Sequence, residues 1–328
     1  MTRRPILLVA NPGAGGKVGS GPVFDADPAR LEPNALAEAL RAAGLDVQLH
    51  VVAESDDLRA LARIAAADRD IVVAGGDGTV GRVASALLDV PDATLGILAL
   101  GSFNNMARGF GVPLTRNDAI AVIAAGSSSQ VDIGWVFPAD GGEGRPFFEA
   151  CGVGVDAVGF LAVEIASRGG LMRAFRALWL GLRRRRTRMR ITLDGHRHLV
   201  STPAVTVSNT PHHGPGMAVV AEADPTDGWL DVAIFSRMTS WQVLGHFLRV
   251  ARRRPRREPR VRVLHARSVT IEPVRRALRA HADGQSIGLT PISVEIRPAA
   301  LRIFARLDDR ARSEERPQPE GDRPRPES

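Results

Sequence analysis

The chain has 328 residues, 44% of them hydrophobic, which supplies a substantial core and length enough for two domains. No apolar run approaches the roughly 18 residues that a bilayer-spanning helix needs, and Pro5-Ile6-Leu7-Leu8-Val9-Ala10 is too short for a secretory leader and ends in a glycine loop, so a cytoplasmic protein is expected. The 43 basic and 36 acidic residues give a formal +7, carried almost wholly by arginine because Lys17 is the only lysine; anionic partners are favoured.

Strand and helix signals alternate through the first part of the chain. A strand is predicted over 5–11, a helix over 31–43, a strand over 46–52, and a helix over 56–66 behind the cap-like Ser55. A strand over 70–75, a helix over 79–89, a strand over 95–99 and a helix over 115–126 behind Thr115 follow. This alternation builds a parallel sheet with helices on both faces. Ligands of such sheets sit at the carboxyl ends of the strands, so the glycine turns after residues 11, 75 and 100 converge on one crevice.

From residue 134 the texture changes to short alternating strands at 204–208, 230–235, 261–264 and 268–271, separated by Gly, Pro and Asp turns. A mostly antiparallel β domain is expected, interrupted by helices at about 156–187 and 240–251. The chain divides into an α/β domain over 1–133 and a β-rich domain over 134–308, its last strand free to return to the first domain. Residues 309–328 hold almost nothing apolar and form a disordered tail, unable to repay ordering entropy. The single cysteine, Cys151, excludes an internal disulfide and sits in an apolar context that predicts a buried packing role.

The segment Ile71 to Val80 is an apolar, β-branched run that breaks into Gly75-Gly76-Asp77-Gly78-Thr79. A buried strand ending in such a turn lets backbone approach a ligand where no Cβ is tolerated, with a helix starting at about Thr79. Exposed N–H groups and the positive end of that helix attract phosphate oxygens. Asp77, itself anionic, would act through a cation such as Mg²⁺. An ordinary βα turn is the plain alternative, which three glycines around one Asp disfavour. The segment Gly13-Ala14-Gly15-Gly16-Lys17-Val18 lacks the hydroxyl and the glycine spacing of a Walker A loop, and no G-x-G-x-x-G opens a helix.

Further motifs follow in order: Asn11-Pro12-Gly13-Ala14-Gly15 before the glycine turn; after it Leu100-Gly101-Ser102-Phe103-Asn104-Asn105-Met106-Ala107-Arg108 with Gly111-Val112-Pro113, Val131-Asp132-Ile133-Gly134, Thr226-Asp227-Gly228-Trp229-Leu230-Asp231, and Asp283-Gly284. In number and order, over about residues 5–305, this set resembles the diacylglycerol kinase catalytic-domain family of lipid kinases, whose relatives include sphingosine kinases and bacterial lipid kinases. Gly-Gly-Asp-Gly-Thr alone is shared with NAD kinases.

The resemblance implies that Asn11 and the loop through Gly13 contact ATP, that Gly75, Gly76, Gly78 and Thr79 cradle its phosphates, and that Asp77 helps hold catalytic Mg²⁺. It implies nucleotide contacts for Gly101, Ser102 and Asn104, and a second acidic position near the metal and the interdomain cleft at Asp132. Asp227, with Asp224, matches a region that binds a structural magnesium in some members; a polar turn before a strand is the alternative reading there.

Three departures from the family pattern stand out. Ala14 replaces a small hydroxyl, and Asn105 replaces a carboxylate in the Gly-Thr-x-Asn-Asp pattern. The family's Asp-Gly-Glu, whose glutamate is the general base for the lipid hydroxyl, reads Asp283-Gly284-Gln285. Glutamine cannot accept that proton but can orient the hydroxyl, and phosphoryl transfer through a loose transition state depends mainly on positioning and charge neutralisation. If 283–286 is extended, Asp283 lies on the same side as Gln285 and substitutes for the missing base with a shorter reach.

Leu171, Phe175, Leu178 and Leu182 fall on one helical face that runs into Arg183-Arg184-Arg185-Arg186; a second block is Arg252-Arg253-Arg254-Pro255-Arg256-Arg257. These blocks are expected to bring the protein onto anionic lipid at the inner membrane face, the alternative being a helix packed on the β domain with a solvated arginine end. Nucleic acid is not expected, because stacking aromatics are not interleaved with the arginines and tyrosine is absent. His212 and His213 are expected to be ordinary loop residues. The expected function is an ATP- and Mg²⁺-dependent lipid kinase; the alternatives are a nucleotide-binding protein without turnover, suggested by Gln285, and an NAD kinase-like enzyme.

Overall fold

The computed structural model describes residues 5–13, 32–90, 92–139, 141–155, 157, 179, 186–214, 216–251 and 258–306. Ala14, the predicted tail over 309–328, the block over 252–257, and, apart from Trp179 and Arg186, the stripe and block over 171–186 lie outside these residues.

Strands β1 (Ile6–Ala10), β2 (Val47–Val51), β3 (Asp70–Gly75) and β4 (Thr94–Ala99) alternate with helices α1 (Pro33–Ala42), α2 (Leu58–Ala65) and α3 (Asp77–Leu87). They pair in parallel in the order β2-β1-β3-β4, with Ile6 opposite both Val47 and Asp70 and Gly75 opposite Ala99. Every residue of β1 and β3 is buried, because helices cover both faces. Alternation sorts the side chains. Leu7, Val9, Ile71, Val73, Leu95 and Ile97 pack with Leu58, Ala62, Val80 and Val83 of α2 and α3. Ile6, Leu8, Val72, Ala74 and Leu98 turn the other way, toward Leu36 and Leu40 of α1 and Ile120 and Ile123 of α5 (Arg116–Ala125). Each fully buried aliphatic side chain contributes about 1.5–3 kcal/mol.

Two local expectations are corrected. The cap of α2 is Asp57 rather than Ser55, its carboxylate accepting from the N–H groups of Arg59 and Ala60 at 3.0 and 3.1 Å. α3 starts at Asp77 rather than Thr79, with Gly76 at the cap, because a carboxylate is favoured in the first turn of a helix. A short helix, α4 (Asn105–Gly109), adds to the elements the pattern predicts. Thr115 does cap α5, accepting from Asp118 N–H, and the helix stops at Gly126 with φ +69°.

The second half adds β5 (Ser128–Pro138), β6 (Arg145–Phe147), β7 (Ala150–Gly154), β8 (Thr187–Leu193), β9 (His196–Thr202), β10 (Ala204–Ser208), β11 (His212–His213) and β12 (Met217–Ala218). Then come β13 (Leu230–Phe235), helix α6 (Ser240–Ala251), β14 (Val261–Ala266), β15 (Ser268–Pro273), β16 (Arg279–Ala282), β17 (Gln285–Leu289) and β18 (Ile292–Phe304). The histidines expected in a loop form the β11–β12 ladder, and His213 is buried.

β18 joins the two halves. Its Arg302 and Ile303 pair in parallel with Thr94 and Leu95 of β4, while Ile292 to Glu295 run antiparallel to Ile271 to Ser268 of β15. β5 lies antiparallel along its whole length, from Ile292 opposite Pro138 to Phe304 opposite Ser128, with a bulge between Arg297 and Leu301. The first sheet therefore continues from the parallel region into an antiparallel one. A second sheet, in the order β14-β13-β10-β7-β16-β17, packs on that extension. Their facing side chains, Ile191, Val269 and Val294 against Val153, Val205 and Val232, form a sandwich core that also holds Cys151, fully buried as expected.

Candidate active site

Asn11 at the end of β1 and the loops after β3 and β4 meet at the point where the strand order reverses between β1 and β3, which is where open α/β sheets bind ligands. Asn11 follows β1. Its Nδ2 donates to Thr79 Oγ1 at 2.8 Å, and its Oδ1 accepts from Gly13 N–H at 3.1 Å. Gly76 and Gly101 touch backbone to backbone: a Cβ on Gly101 would stand 2.5 Å from Gly76 Cα. Asn104, left-handed at φ 52°, locks that contact by accepting from Gly101 N–H at 2.7 Å and donating to Gly101 O at 2.8 Å. Its amide thus holds the loop. Ser102 is exposed beside it. Gly78 faces open space, with nothing within 4 Å of a Cβ built there. Thr79 and Val80 N–H already donate to Gly76 O, at 2.9 and 3.0 Å, while the N–H groups of Asp77 and Gly78 precede the first helical bonds, so this space suits an anionic ligand.

Asp77 stands at the first turn of α3, and its Oδ1 accepts from Met106 N–H at 3.0 Å. The same carboxylate that faces the glycine turn thus caps the start of α4. Burial raises its proton affinity above the ordinary carboxylate range, opposed by the N–H groups of Met106, Asn105 and Asn104.

Asp77 and Gly78 open into a cavity of about 850 Å³ between the two halves of the molecule. One wall is α/β: Arg59, Gly81, Arg82 and Ser85 from α2 and α3. The other wall comes from the β5–β6 region, from Phe148 and Glu149, and from the β16–β17 hairpin with Asp283, Gln285 and Ile287. Met106, Val136, Phe148 and Ile287 make part of it apolar. Gln285 lines the same cavity as Asp77 and is exposed to it.

The extended conformation considered for 283–286 is not found. Asp283 and Gly284, at φ 45° and 76°, form the tight turn between β16 and β17. The Asp283 carboxylate accepts from the N–H groups of Phe148 at 2.7 Å, Glu149 at 2.9 Å and Ala150 at 3.1 Å. That ties the hairpin to the start of β7. Burial pushes its pKa up to about 6, the three N–H donors opposing the shift.

Glu149 was not foreseen. It is 7% exposed, lines the cavity, and its Oε2 accepts from Asn105 Nδ2 at 3.0 Å. Asn105 also donates to Gly214 O at 2.8 Å, which fixes the amide. Burial raises the Glu149 pKa well above its ordinary value, and the charges of Asp283 and Asp77 raise it further. The signal was there to find: a carboxylate in Phe147-Phe148-Glu149-Ala150-Cys151 is out of place unless a partner or a function holds it.

Asp132 is a different kind of acid. Its Oδ2 accepts from Gly228 N–H at 2.6 Å, its Oδ1 from Ala299 N–H at 2.7 Å, and its carbonyl from Asn209 Nδ2 at 2.9 Å. It knots β5 to the 225–228 loop and to the bulge of β18, and it is not among the cavity-lining residues. The carboxylate expected beside the metal is thus engaged by backbone N–H groups of two other segments. Asp224 and Asp227 sit in that same loop, accepting from Thr226 N–H and Trp229 N–H at 2.9 Å each. Among the described residues no group of three acidic, histidine or cysteine side chains could hold a metal ion. Mg²⁺ needs only one or two carboxylates when substrate phosphates complete its shell, a demand Asp77 can meet.

A parallel α/β domain with a glycine-lined crevice is fused through a shared strand to a β sandwich, with a charged cavity between them, and this architecture defines the class of protein to which the comparisons point. Residues 5–136 match the diacylglycerol kinase catalytic domain, and residues 153–305 match the YegS C-terminal NAD kinase beta sandwich-like domain. The chain thus pairs a diacylglycerol kinase catalytic domain with a YegS-type C-terminal domain. It is 28% identical to the diacylglycerol kinase of Mycobacterium tuberculosis (strain ATCC 25618 / H37Rv) over 271 residues, 81% of this chain and 86% of that one. The fold resembles the crystal structure of a diacylglycerol kinase from Bacillus anthracis str. Sterne, with a TM-score of 0.68 and 20% identity over 93% of this chain and 98% of that one.

Proposed function

We propose that the protein is an ATP- and Mg²⁺-dependent lipid kinase that transfers the γ-phosphate of ATP to a lipid hydroxyl in the cavity between its two halves. The observation that carries this reading is the cavity itself. One wall presents Asp77, Gly78 and the start of α3, and the opposite wall presents Phe148, Glu149 and the β16–β17 hairpin. A phosphate donor on the first wall and a hydroxyl on the second would meet in line.

The residues divide the work. The N–H groups at the start of α3 and the space before Gly78 take phosphate oxygens. Asn11 and Thr79 hold the first two loops together, and Asn104 fixes the third against Gly76. Asp77 would hold Mg²⁺, which supplies charge neutralisation on the transferring phosphate. Arg59, Arg82 and Arg145 place positive charge around the cavity, and the apolar side chains Val136, Phe148 and Ile287 suit the glycerol or sphingoid end of an acyl-chain substrate.

Such a substrate is met at a bilayer. Among the described residues no helix is long and apolar enough to cross a membrane. α6 carries Trp241 and Leu248 at 55% and 45% exposure and then Arg249, ahead of the Arg252 to Arg257 block. An exposed Trp/Leu stripe beside arginines supports peripheral contact with anionic lipid, each basic side chain near the surface contributing about 1 kcal/mol.

The test is incubation of the protein with labelled Mg²⁺-ATP and vesicles of diacylglycerol, sphingoid base or phosphatidylglycerol. Labelled lipid from the wild type, and its loss in Asp77→Ala, is expected; no labelled lipid from any vesicle defeats the reading. A nucleotide-binding protein without turnover is the second reading, motivated by Gln285. A large gain of lipid phosphorylation in Gln285→Glu over an inert wild type would favour it.

A further inference from the structure

Where the lipid hydroxyl's proton goes is left open by Gln285, whose amide cannot take it. Four acidic side chains line the cavity: Asp77, Glu143, Glu149 and Asp283. Asp283 is committed to three backbone N–H groups. Asp77 caps α4 and faces the glycine turn. Glu143 is exposed on the β5–β6 connection, at the solvent side. Glu149 remains, buried in the wall opposite the phosphate site and oriented by Asn105 Nδ2. Resting on the lipid-kinase reading above, we infer that the Glu149 carboxylate is the proton acceptor for the lipid hydroxyl, with Asn105 as its positioning residue.

The exchange of amides for carboxylates makes this arrangement consistent. Asn105 stands 3.0 Å from Glu149 Oε2. A carboxylate at position 105 would set two negative charges at hydrogen-bond distance, and both could not ionise. The neutral amide instead donates to Glu149 and to Gly214 O, which leaves the glutamate as the one acid of that pair. A carboxylate has about four acceptor sites, so the Asn105 donor leaves capacity for a substrate hydroxyl. Burial raises its proton affinity above that of an ordinary carboxylate, which makes it the stronger base. In the step, the lipid oxygen forms a bond to Pγ while the bond from Pγ to the β-phosphate bridging oxygen breaks, and ADP leaves with that electron pair. The hydroxyl proton passes to a Glu149 Oε and from there to water.

The experiment compares the wild type, Glu149→Gln, Asn105→Asp and the double variant Glu149→Gln/Gln285→Glu, using Mg²⁺-ATP and diacylglycerol vesicles across pH 5–9. The wild-type kcat is expected to rise with pH along a limb above the ordinary carboxylate range. Glu149→Gln should lower kcat about 10²–10⁴-fold and abolish that limb, with Mg²⁺-ATP affinity by calorimetry unchanged. Gln285→Glu in that background should recover part of the lost rate, because it returns a carboxylate to the same cavity. Asn105→Asp should move the limb to higher pH, a shift that a merely structural amide would not produce. If Glu149→Gln keeps the wild-type kcat and limb, the inference falls and the lipid-kinase reading stands. If the wild type binds Mg²⁺-ATP and phosphorylates no lipid, both fall together.

Discussion

Asp77 and Met106 share one hydrogen bond, Oδ1 accepting the backbone N–H at 3.0 Å, and through it the second glycine loop holds the start of the helix that follows the third. Together with the Asn11–Thr79 bond and the Gly76–Gly101 contact, it makes three loops from three strands a single unit. Anything that parts two of them should loosen the nucleotide site as a whole.

Gly101→Ala tests that coupling. Its Cβ would lie 2.5 Å from Gly76 Cα and 2.8 Å from Asn104 Oδ1, neither of which can retreat easily. The expected cost is about 1–3 kcal/mol of stability by urea denaturation, with Mg²⁺-ATP affinity falling in parallel. Gly78→Ala separates the two effects, since its Cβ meets nothing within 4 Å. Stability should hold or rise by about 0.4–1 kcal/mol while Mg²⁺-ATP binding weakens, because the methyl fills space meant for phosphate. Equal affinities in Gly78→Ala and wild type would refute that placement of the nucleotide.

Asp132→Ala removes the acceptor shared by Gly228 N–H and Ala299 N–H. Two backbone donors, on half-buried Gly228 and exposed Ala299, lose a charged partner, so unfolding should become easier by about 1.5–3 kcal/mol. The kcat of the folded fraction should stay near that of the wild type at low temperature. A specific loss of kcat without loss of stability would return Asp132 to the catalytic machinery.

Glu149 and Asp283 both hold their protons more tightly folded than unfolded. Each therefore contributes stability that is fully present below the unfolded carboxylate pKa, near 4, and lost as pH rises through the folded value, about 6 for Asp283. Without nucleotide, denaturation midpoints should fall between pH 4 and pH 7, and the fall should be shallower in Glu149→Gln. An identical slope in that variant would show that Glu149 titrates normally.

Trp241→Ala with Leu248→Ser strips the exposed side of α6. Both side chains are about half exposed, so the melting temperature should barely move, since surface substitutions stay within about 0.5 kcal/mol. Sedimentation with anionic vesicles should drop several-fold. Full retention of vesicle binding would move the membrane contact to another surface.

Local pattern carried most of the fold. β3 was read over the residues it occupies, because a fully buried strand is a continuous apolar run, and α6 and the strands at 204–208 and 230–235 were equally plain. The helix starts were misread where side chains competed for the cap: Asp57 displaced Ser55, and Asp77 drew α3 two residues earlier. The convergence of three glycine turns was legible from strand order alone, since parallel strands present their carboxyl ends together.

The acids were not separable in the same way. Asp77, Asp132, Asp283 and Glu149 are all carboxylates in one dimension, and what distinguishes them is how many backbone N–H groups surround each one in three. Sequence by itself determined the parallel sheet, the glycine loops and Asp77 at their centre, because these follow from periodicity and from the absence of a Cβ, which neighbours in the chain decide. Tertiary structure alone decided that Asp132 and Asp283 are ties and that Glu149 lies in the cavity wall, because a carboxylate's role is set by donors contributed from elements 96, 134, 135 and 167 residues away.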